Sequence, residues 1–256
     1  MSNYNGVINE LIKGEWTNPE DQKKYGIPIK KIEIGKTLDG LEKDLIKSLH
    51  LDQKLLIVSD PFTHNAMGSR IFKNIKGKVN VDEYIWENPS SSIEGVEHLR
   101  EKIKDYDAMI AVGSGTVSDS IKYATFLEKK TYSVFATTPM NAYTTGTASI
   151  SFNGVKKSLV AHYAQGVFFD LEVLSNCPKR LTAAAFADVI CRTTAQVDWM
   201  MSHKLLETNY QSTPYSLLSL YEGDMIQSAS SIAEGDINSL ALLTRISAIM
   251  GLGTSF

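Results

Sequence analysis

Cysteine is almost missing from this 256-residue chain: Cys177 and Cys191 are too few for a disulfide framework and stand in no metal-binding spacing. That absence points to a reducing cytoplasm. An excess of one charge is missing as well. Lys and Arg number 26 against 29 Asp and Glu, and a net charge of −3 argues against bulk binding to nucleic acid or an anionic membrane surface. No apolar run is long enough to span a bilayer, and the first residues show no signal-peptide pattern. Histidine is scarce too: His50, His64, His98, His162 and His203 are the whole set. There is no internal repeat and no low-complexity tract. What remains is 43% hydrophobic and 21% charged, enough for two modest domains or one large one.

The apolar residues fall into alternating short runs and amphipathic stretches. Ile29–Gly35 alternates like a half-exposed strand, and Leu38–Leu49 has helical spacing. Lys54–Asp60 reads as a buried strand, Pro61–Ile75 as helical, Val79–Trp86 as a strand and Ser91–Lys104 as a helix. Ala108–Val112 and Tyr132–Thr137 complete the series, which predicts a parallel sheet with helices on its faces. Val155–Val160 and Gly166–Asp170 read as two further strands. After Asp170 the strand signals stop, and Arg180–Leu206, Tyr215–Ala233 and Ile237–Met250 have helical spacing. The expected division is therefore an extension over 1–25, an α/β nucleotide-binding domain over 26–174 and a helical domain over 175–256, with the boundary near Pro178. Trp86 and Trp199 are expected in core or interdomain packing, and Met200, Met201 and Met225 in helix packing.

One stretch organises the functional reading. Ala111-Val112-Gly113-Ser114-Gly115-Thr116-Val117 leaves an apolar run, turns on two glycines and enters an amphipathic segment that carries Asp119 and Lys122. Amide N–H groups at such a helix start suit a phosphate, here a nucleotide pyrophosphate. The third glycine of the dinucleotide fingerprint is absent, and no Gly-Lys-Ser/Thr follows to make a P-loop, so a simple tight turn stays open.

Ligands of parallel sheets sit beyond the carboxyl ends of the strands, which places Asp60, Glu87, Gly113 to Thr116, Thr137 and Thr138 on one rim. A carboxylate at the end of the first buried strand can accept from a ribose hydroxyl, which makes Asp60 a candidate for the adenosine end. The alternative for Asp60 is a plain turn start before Pro61. From Thr137 to Gly154 the chain turns to Thr, Ser, Asn and Gly, as in a functional loop, and Lys156 and Lys157 follow. Lys157 suits a phosphate or the nicotinamide edge; a solvated hairpin accounts for it equally well.

Three ordered stretches together resemble the iron-containing alcohol dehydrogenase and dehydroquinate synthase superfamily, and within it the glycerol-1-phosphate dehydrogenase branch. They are Val112–Tyr123 with its Gly-Ser-Gly-Thr turn, Thr137-Thr138-Pro139 leading through Tyr143–Ser149, and Ala184–Arg192 running into Gln196–Trp199. The resemblance extends from about Ile32 to Phe256. It implies a Rossmann-like parallel-sheet domain followed by an all-helical, dehydroquinate synthase-like domain, with NAD or NADP and a divalent metal (Zn, Ni or Fe) in the cleft between them. Hydride transfer on a small polyol phosphate is the implied reaction, the metal polarising the oxygen. A soluble homo-oligomer is expected.

Carried over by position, the resemblance gives Gly113, Ser114, Gly115 and Thr116 to the pyrophosphate and Thr137 and Thr138 to the adenine and ribose side. Asp119 goes to the nicotinamide or substrate and Asp188 to the metal, while Arg192 stands where the family often has a Lys near the substrate. A guanidinium there suits a phosphate or carboxylate. Asp188 is also spaced to pair with Arg192 one turn later. Thr145 stands where the family commonly has an Asp, so a hydroxyl replaces one acidic contact to a substrate hydroxyl.

The family completes its metal site with histidines beyond a segment resembling Met250–Phe256, so the helical domain reads as incomplete here. His203 lies roughly 22 Å along a continuous helix from Asp188 and could not share an ion with it. Two further readings follow: a dehydroquinate synthase-type lyase using the same cofactor cradle, and a nucleotide-binding remnant that does not turn over.

Overall fold

The apolar runs become strands buried on both faces. In a computed structural model describing residues 4–51, 54–219 and 221–254, the chain begins with α1 (Tyr4–Lys13) and a short hairpin of β1 (Trp16–Thr17) and β2 (Lys24–Tyr25). It continues through β3 (Lys31–Gly35), α2 (Glu42–Ser48), β4 (Leu55–Ser59), α3 (Pro61–Thr63), a π-helical turn (His64–Gly68) and α4 (Ser69–Ile75). Next come β5 (Val81–Ile85), α5 (Ile93–Ile103), β6 (Ala108–Gly113), α6 (Gly115–Leu127) and β7 (Thr131–Ala136). A 3-10 turn (Asn141–Thr144) leads to β8 (Thr147–Phe152), β9 (Val155–Val160) and β10 (Gly166–Asp170). The helical part holds α7 (Leu171–Ser175), α8 (Lys179–Leu206), α9 (Thr213–Leu218), α10 (Glu222–Gln227), α11 (Ala229–Glu234) and α12 (Ile237–Gly253).

The main sheet has six parallel strands in the order β3-β10-β7-β6-β4-β5. Every residue of β4, β6 and β10 is buried, because helices cover both faces. Leu56, Val58, Met109 and Ala111 pack under α5, α6 and α12, while Leu55, Ile57, Ile110 and Val112 pack under α2 and α4. From β4 the chain steps outward to β5 and then returns on the other side to β6. Strand order therefore reverses between β4 and β6, and their carboxyl ends flank the crevice where such sheets bind ligands.

Three stretches differ from the sequence expectation. Residues 4–25, expected as an extension, form α1 and the hairpin: Ile8 and Leu11 are buried in the cluster that also holds residues of α12. Tyr215–Ala233, expected as one helix, is broken into α9, α10 and α11. Met200 and Met201 are exposed on α8 with Val197, Leu205 and Leu206, whereas Met225 is fully buried as expected. Among the described residues no helix is long and apolar enough to cross a membrane.

Candidate functional site

At the carboxyl end of β4, Asp60 caps α3. Its Oδ1 accepts from the Phe62 and Thr63 amides at 2.9 and 3.0 Å, and Thr63 Oγ1 accepts from the Asp60 amide at 3.1 Å. Thr63 also donates to the Val112 carbonyl on β6 at 2.9 Å, which stitches the two strands across the point of reversal. Asp60 thus serves as a helix cap and also lines the crevice.

At the end of β6 the two glycines have different reasons. A Cβ on Gly113 would lie 2.7 Å from Val117 Cβ, so glycine is required for the close approach of turn and helix. A Cβ on Gly115 would meet nothing within 4 Å. Ser114 adopts an extended backbone and its side chain does not cap α6. The first intrahelical bond runs from Ser118 N–H to the Ser114 carbonyl, leaving the amides of Ser114, Gly115, Thr116 and Val117 without a partner among the described residues. Together with the helix dipole they form an amide-lined, electropositive mouth.

That mouth opens into a cleft of about 1000 Å³. Asp60, Phe62, Thr63, Glu87, Ser114, Thr116, Thr137, Thr138, Glu172 and Arg180 line it, with Pro178 and Leu181 from the start of α8. Phe62 is 86% exposed although it is a large aromatic, which leaves its ring face available to a flat ligand.

Behind the mouth lies a buried charge. Lys122 is fully buried on α6; its ammonium donates to the carbonyls of Ala142 and Thr147 at 2.7 and 2.8 Å, and lies 3.1 Å from both Asp119 Oδ1 and Thr145 Oγ1. Burial lowers its pKa and Asp119 opposes that shift. The second Asp119 oxygen accepts from the Ser149 amide at 3.2 Å. Asp119 and Thr145 are thereby tied into a clamp that fixes the 141–149 segment against α6, and neither lines the cleft.

The structure thus gathers Asp60, Ser114, Thr116, Thr137 and Thr138 at one cleft, with Gly113 and Gly115 shaping its turn. Besides Asp119 and Thr145, three expected site residues lie elsewhere. Lys157 is exposed on β9, its ammonium 5.7 Å from the Phe152 ring centroid. Arg192 bonds Glu222 through Nε at 2.9 Å and Gln196 at 3.0 Å and rests 5.3 Å from the Tyr215 ring centroid, bracing α8 against α9 and α10. Asp188 is half-buried, with the Cys191 thiol of its own helix 3.8 Å from its Oδ1.

A divalent metal requires several donors converging on one point. Among the described residues no three His, Cys, Asp or Glu side chains form such a group. His203 stands four turns beyond Asp188 on the continuous α8, and its Nδ1 lies 2.6 Å from the Thr208 carbonyl. A lone Asp188 carboxylate does not fit a metal site. Phe62, Lys122, Tyr143 and Arg180 were not singled out as site residues. The sequence held no signal for Phe62, because a single exposed aromatic is ordinary and its 86% exposure at the rim is seen only in the fold.

Residues 33–178, more than half of the chain, match the sequence model of the family described as iron-containing alcohol dehydrogenase. The chain is 33% identical over 196 residues to glycerol-1-phosphate dehydrogenase (NAD(P)+) of Pyrococcus abyssi, covering 75% of this chain and 56% of that protein. It is 29% identical over 217 residues to the enzyme of the same name from Methanobrevibacter smithii, covering 83% of this chain and 61% of that one. It therefore spans well under two thirds of the length of these relatives. Sulfoacetaldehyde reductase from Bifidobacterium kashiwanohense in complex with NAD+ superposes with a TM-score of 0.73 at 16% identity, over 90% of this chain and 66% of that one. The iron-containing alcohol dehydrogenase TM0920 of Thermotoga maritima superposes with a TM-score of 0.70 at 13% identity, over 89% of this chain and 67% of that one. A match over more than half of the chain shows that it belongs to the iron-containing alcohol dehydrogenase family.

Proposed function

We propose that this chain carries the dinucleotide-binding part of an NAD(P)-linked dehydrogenase acting on a small polyol phosphate of the glycerol 1-phosphate kind. One observation carries the reading: four successive amides, Ser114 to Val117, lack partners among the described residues at the mouth of the crevice between β4 and β6. They suit a diphosphate, with the space above Gly115 left for its oxygens. Asp60, Thr137 and Thr138 offer oxygens to ribose hydroxyls, and the exposed Phe62 ring offers a stacking face to a base. The nicotinamide supplies the hydride chemistry when bound. The substrate class comes from the relatives named glycerol-1-phosphate dehydrogenase.

The chain's own residues bind and orient the dinucleotide. The lone carboxylate of Asp188 favours a second reading, nucleotide binding without turnover. Thermal unfolding with NAD+ and NADP+ tests the first claim. Saturation at a hundred times Kd stabilises by about 2.7 kcal/mol, or roughly 5–10 °C in Tm for a chain of this size. No rise with either dinucleotide refutes it. Consumption of NADH on adding dihydroxyacetone phosphate and Zn²⁺ supports the dehydrogenase; binding without consumption supports the second reading.

A further inference from the structure

The Gly113 carbonyl is held from behind. Tyr143, fully buried, places its hydroxyl 3.0 Å from that carbonyl and 2.6 Å from Thr138 Oγ1. A carbonyl only accepts, so the tyrosine proton is committed to Gly113 and Thr138 must donate to Tyr143. The Thr137 amide reaches the same carbonyl at a longer 3.4 Å. The described chain has no cis peptide, and in a trans peptide the C=O and N–H point in opposite directions. Aiming the Gly113 oxygen at Tyr143 therefore aims the Ser114 N–H away from it, and Ser114 is one of the residues that line the cleft.

We propose that Tyr143 is a positioning residue whose hydroxyl locks the Gly113–Ser114 peptide, so that the Ser114 amide is already turned toward an incoming diphosphate. The proposal rests on the dinucleotide reading. Tyr143 is itself fixed: its ring meets Phe169 edge-on at 5.9 Å between centroids, and its neighbour Thr144 donates to the Ala248 carbonyl of α12 at 2.9 Å. Burial raises the phenol's pKa well above its ordinary value, which keeps it a donor at every working pH. Without the hydroxyl, the 3.4 Å bond from the Thr137 amide is the hydrogen bond left on that carbonyl among the described residues, and binding must do more to order the peptide.

The test is Tyr143→Phe, which keeps the ring, titrated by calorimetry with ADP-ribose and with adenosine. Affinity for ADP-ribose is expected to fall about tenfold, the effect of one lost hydrogen bond in the site, while adenosine, which meets the site through Thr138 but not through the Ser114 amide, loses clearly less. A merely structural role would weaken both ligands alike. Equal losses, or no loss for ADP-ribose, overturn the proposal. Should the unaltered chain fail to bind ADP-ribose, the dinucleotide reading falls and the proposal with it. Should Y143F fail to fold, ¹⁵N-labelled unaltered chain decides: ADP-ribose must shift the Ser114 amide resonance and slow its exchange, and an unmoved resonance overturns the proposal.

Discussion

Replacing Gly115 by alanine separates the needs of the fold from those of the ligand. Gly115 opens α6, its φ is not left-handed, and an added Cβ meets nothing within 4 Å. Alanine is therefore free of strain, and in a helix it is favoured over glycine by roughly 0.5–1 kcal/mol. With roughly 2–4 °C per kcal/mol in a chain of this size, Tm should rise by about 1–4 °C. On the proposed reading, that open space beside Ser114 and Thr116 is where a diphosphate comes to reach the amides of Ser114 to Val117. A methyl group there costs one charge-assisted hydrogen bond or more, so NAD+ affinity should fall about ten- to a hundredfold.

Gly113→Ala is the opposite control. Its Cβ would lie 2.7 Å from Val117 Cβ where ordinary contact begins at 3.4 Å, and a branched Cβ cannot swing aside. The start of α6 must move, at a cost of about 1–3 kcal/mol from overpacking, and Tm should fall. Thermal unfolding and calorimetry with NAD+ read both variants. If G115A loses stability, the space is not open. If G115A binds NAD+ as tightly as the unaltered chain, the amide mouth is not the diphosphate site.

Lys122→Met should destabilise by about 3–5 kcal/mol, because it strands the Asp119 carboxylate and two carbonyls in the interior. A urea midpoint within error of the unaltered chain's would contradict the clamp. His162 provides a pH test. Burial, and then the charge of Lys122, lower its pKa from the ordinary 6.5, so the unfolded chain takes up the proton first as pH falls. Its contribution to stability is fully present above pH 6.5 and is lost as pH drops through the lower folded value, so H162Q should flatten the urea midpoint against pH over that window. An unchanged slope would show that other groups carry the acid sensitivity.

How much of this was readable in the chain divides along physical lines. Val112–Thr116 and the buried runs Leu55–Ser59 and Ala108–Gly113 were legible because a strand covered on both faces admits little but apolar residues. The rim followed from the rule for strand ends, which is how Asp60, Thr137 and Thr138 were placed in one cleft. Lys122 was not legible as a buried clamp, since an Asp three residues before a Lys on a helix ordinarily makes a surface ion pair. Its role depends on carbonyls of Ala142 and Thr147 that only the folded loop supplies. Residues 4–25 look polar because their buried Ile8 and Leu11 are a minority, and their partner α12 lies more than two hundred residues away. Tyr215–Ala233 kept its helical period through two breaks because Leu217, Leu218, Met225 and Ile232 all pack into the same core cluster.

The seating of α12 against the 3-10 turn has a consequence for the order in which the molecule becomes competent. Gly251 lies so close to Thr144 and the Asn141 carbonyl that no side chain could stand between them, and Thr144 bonds Ala248 of the same helix. On a ribosome, all six strands of the sheet have emerged by Asp170, yet the support for the tyrosine behind the glycine turn is not synthesised until some eighty residues later. A nascent chain halted between those points would own its sheet but lack the α12 contact behind the mouth, so on the proposed reading the capacity to hold a dinucleotide waits until α12 is made.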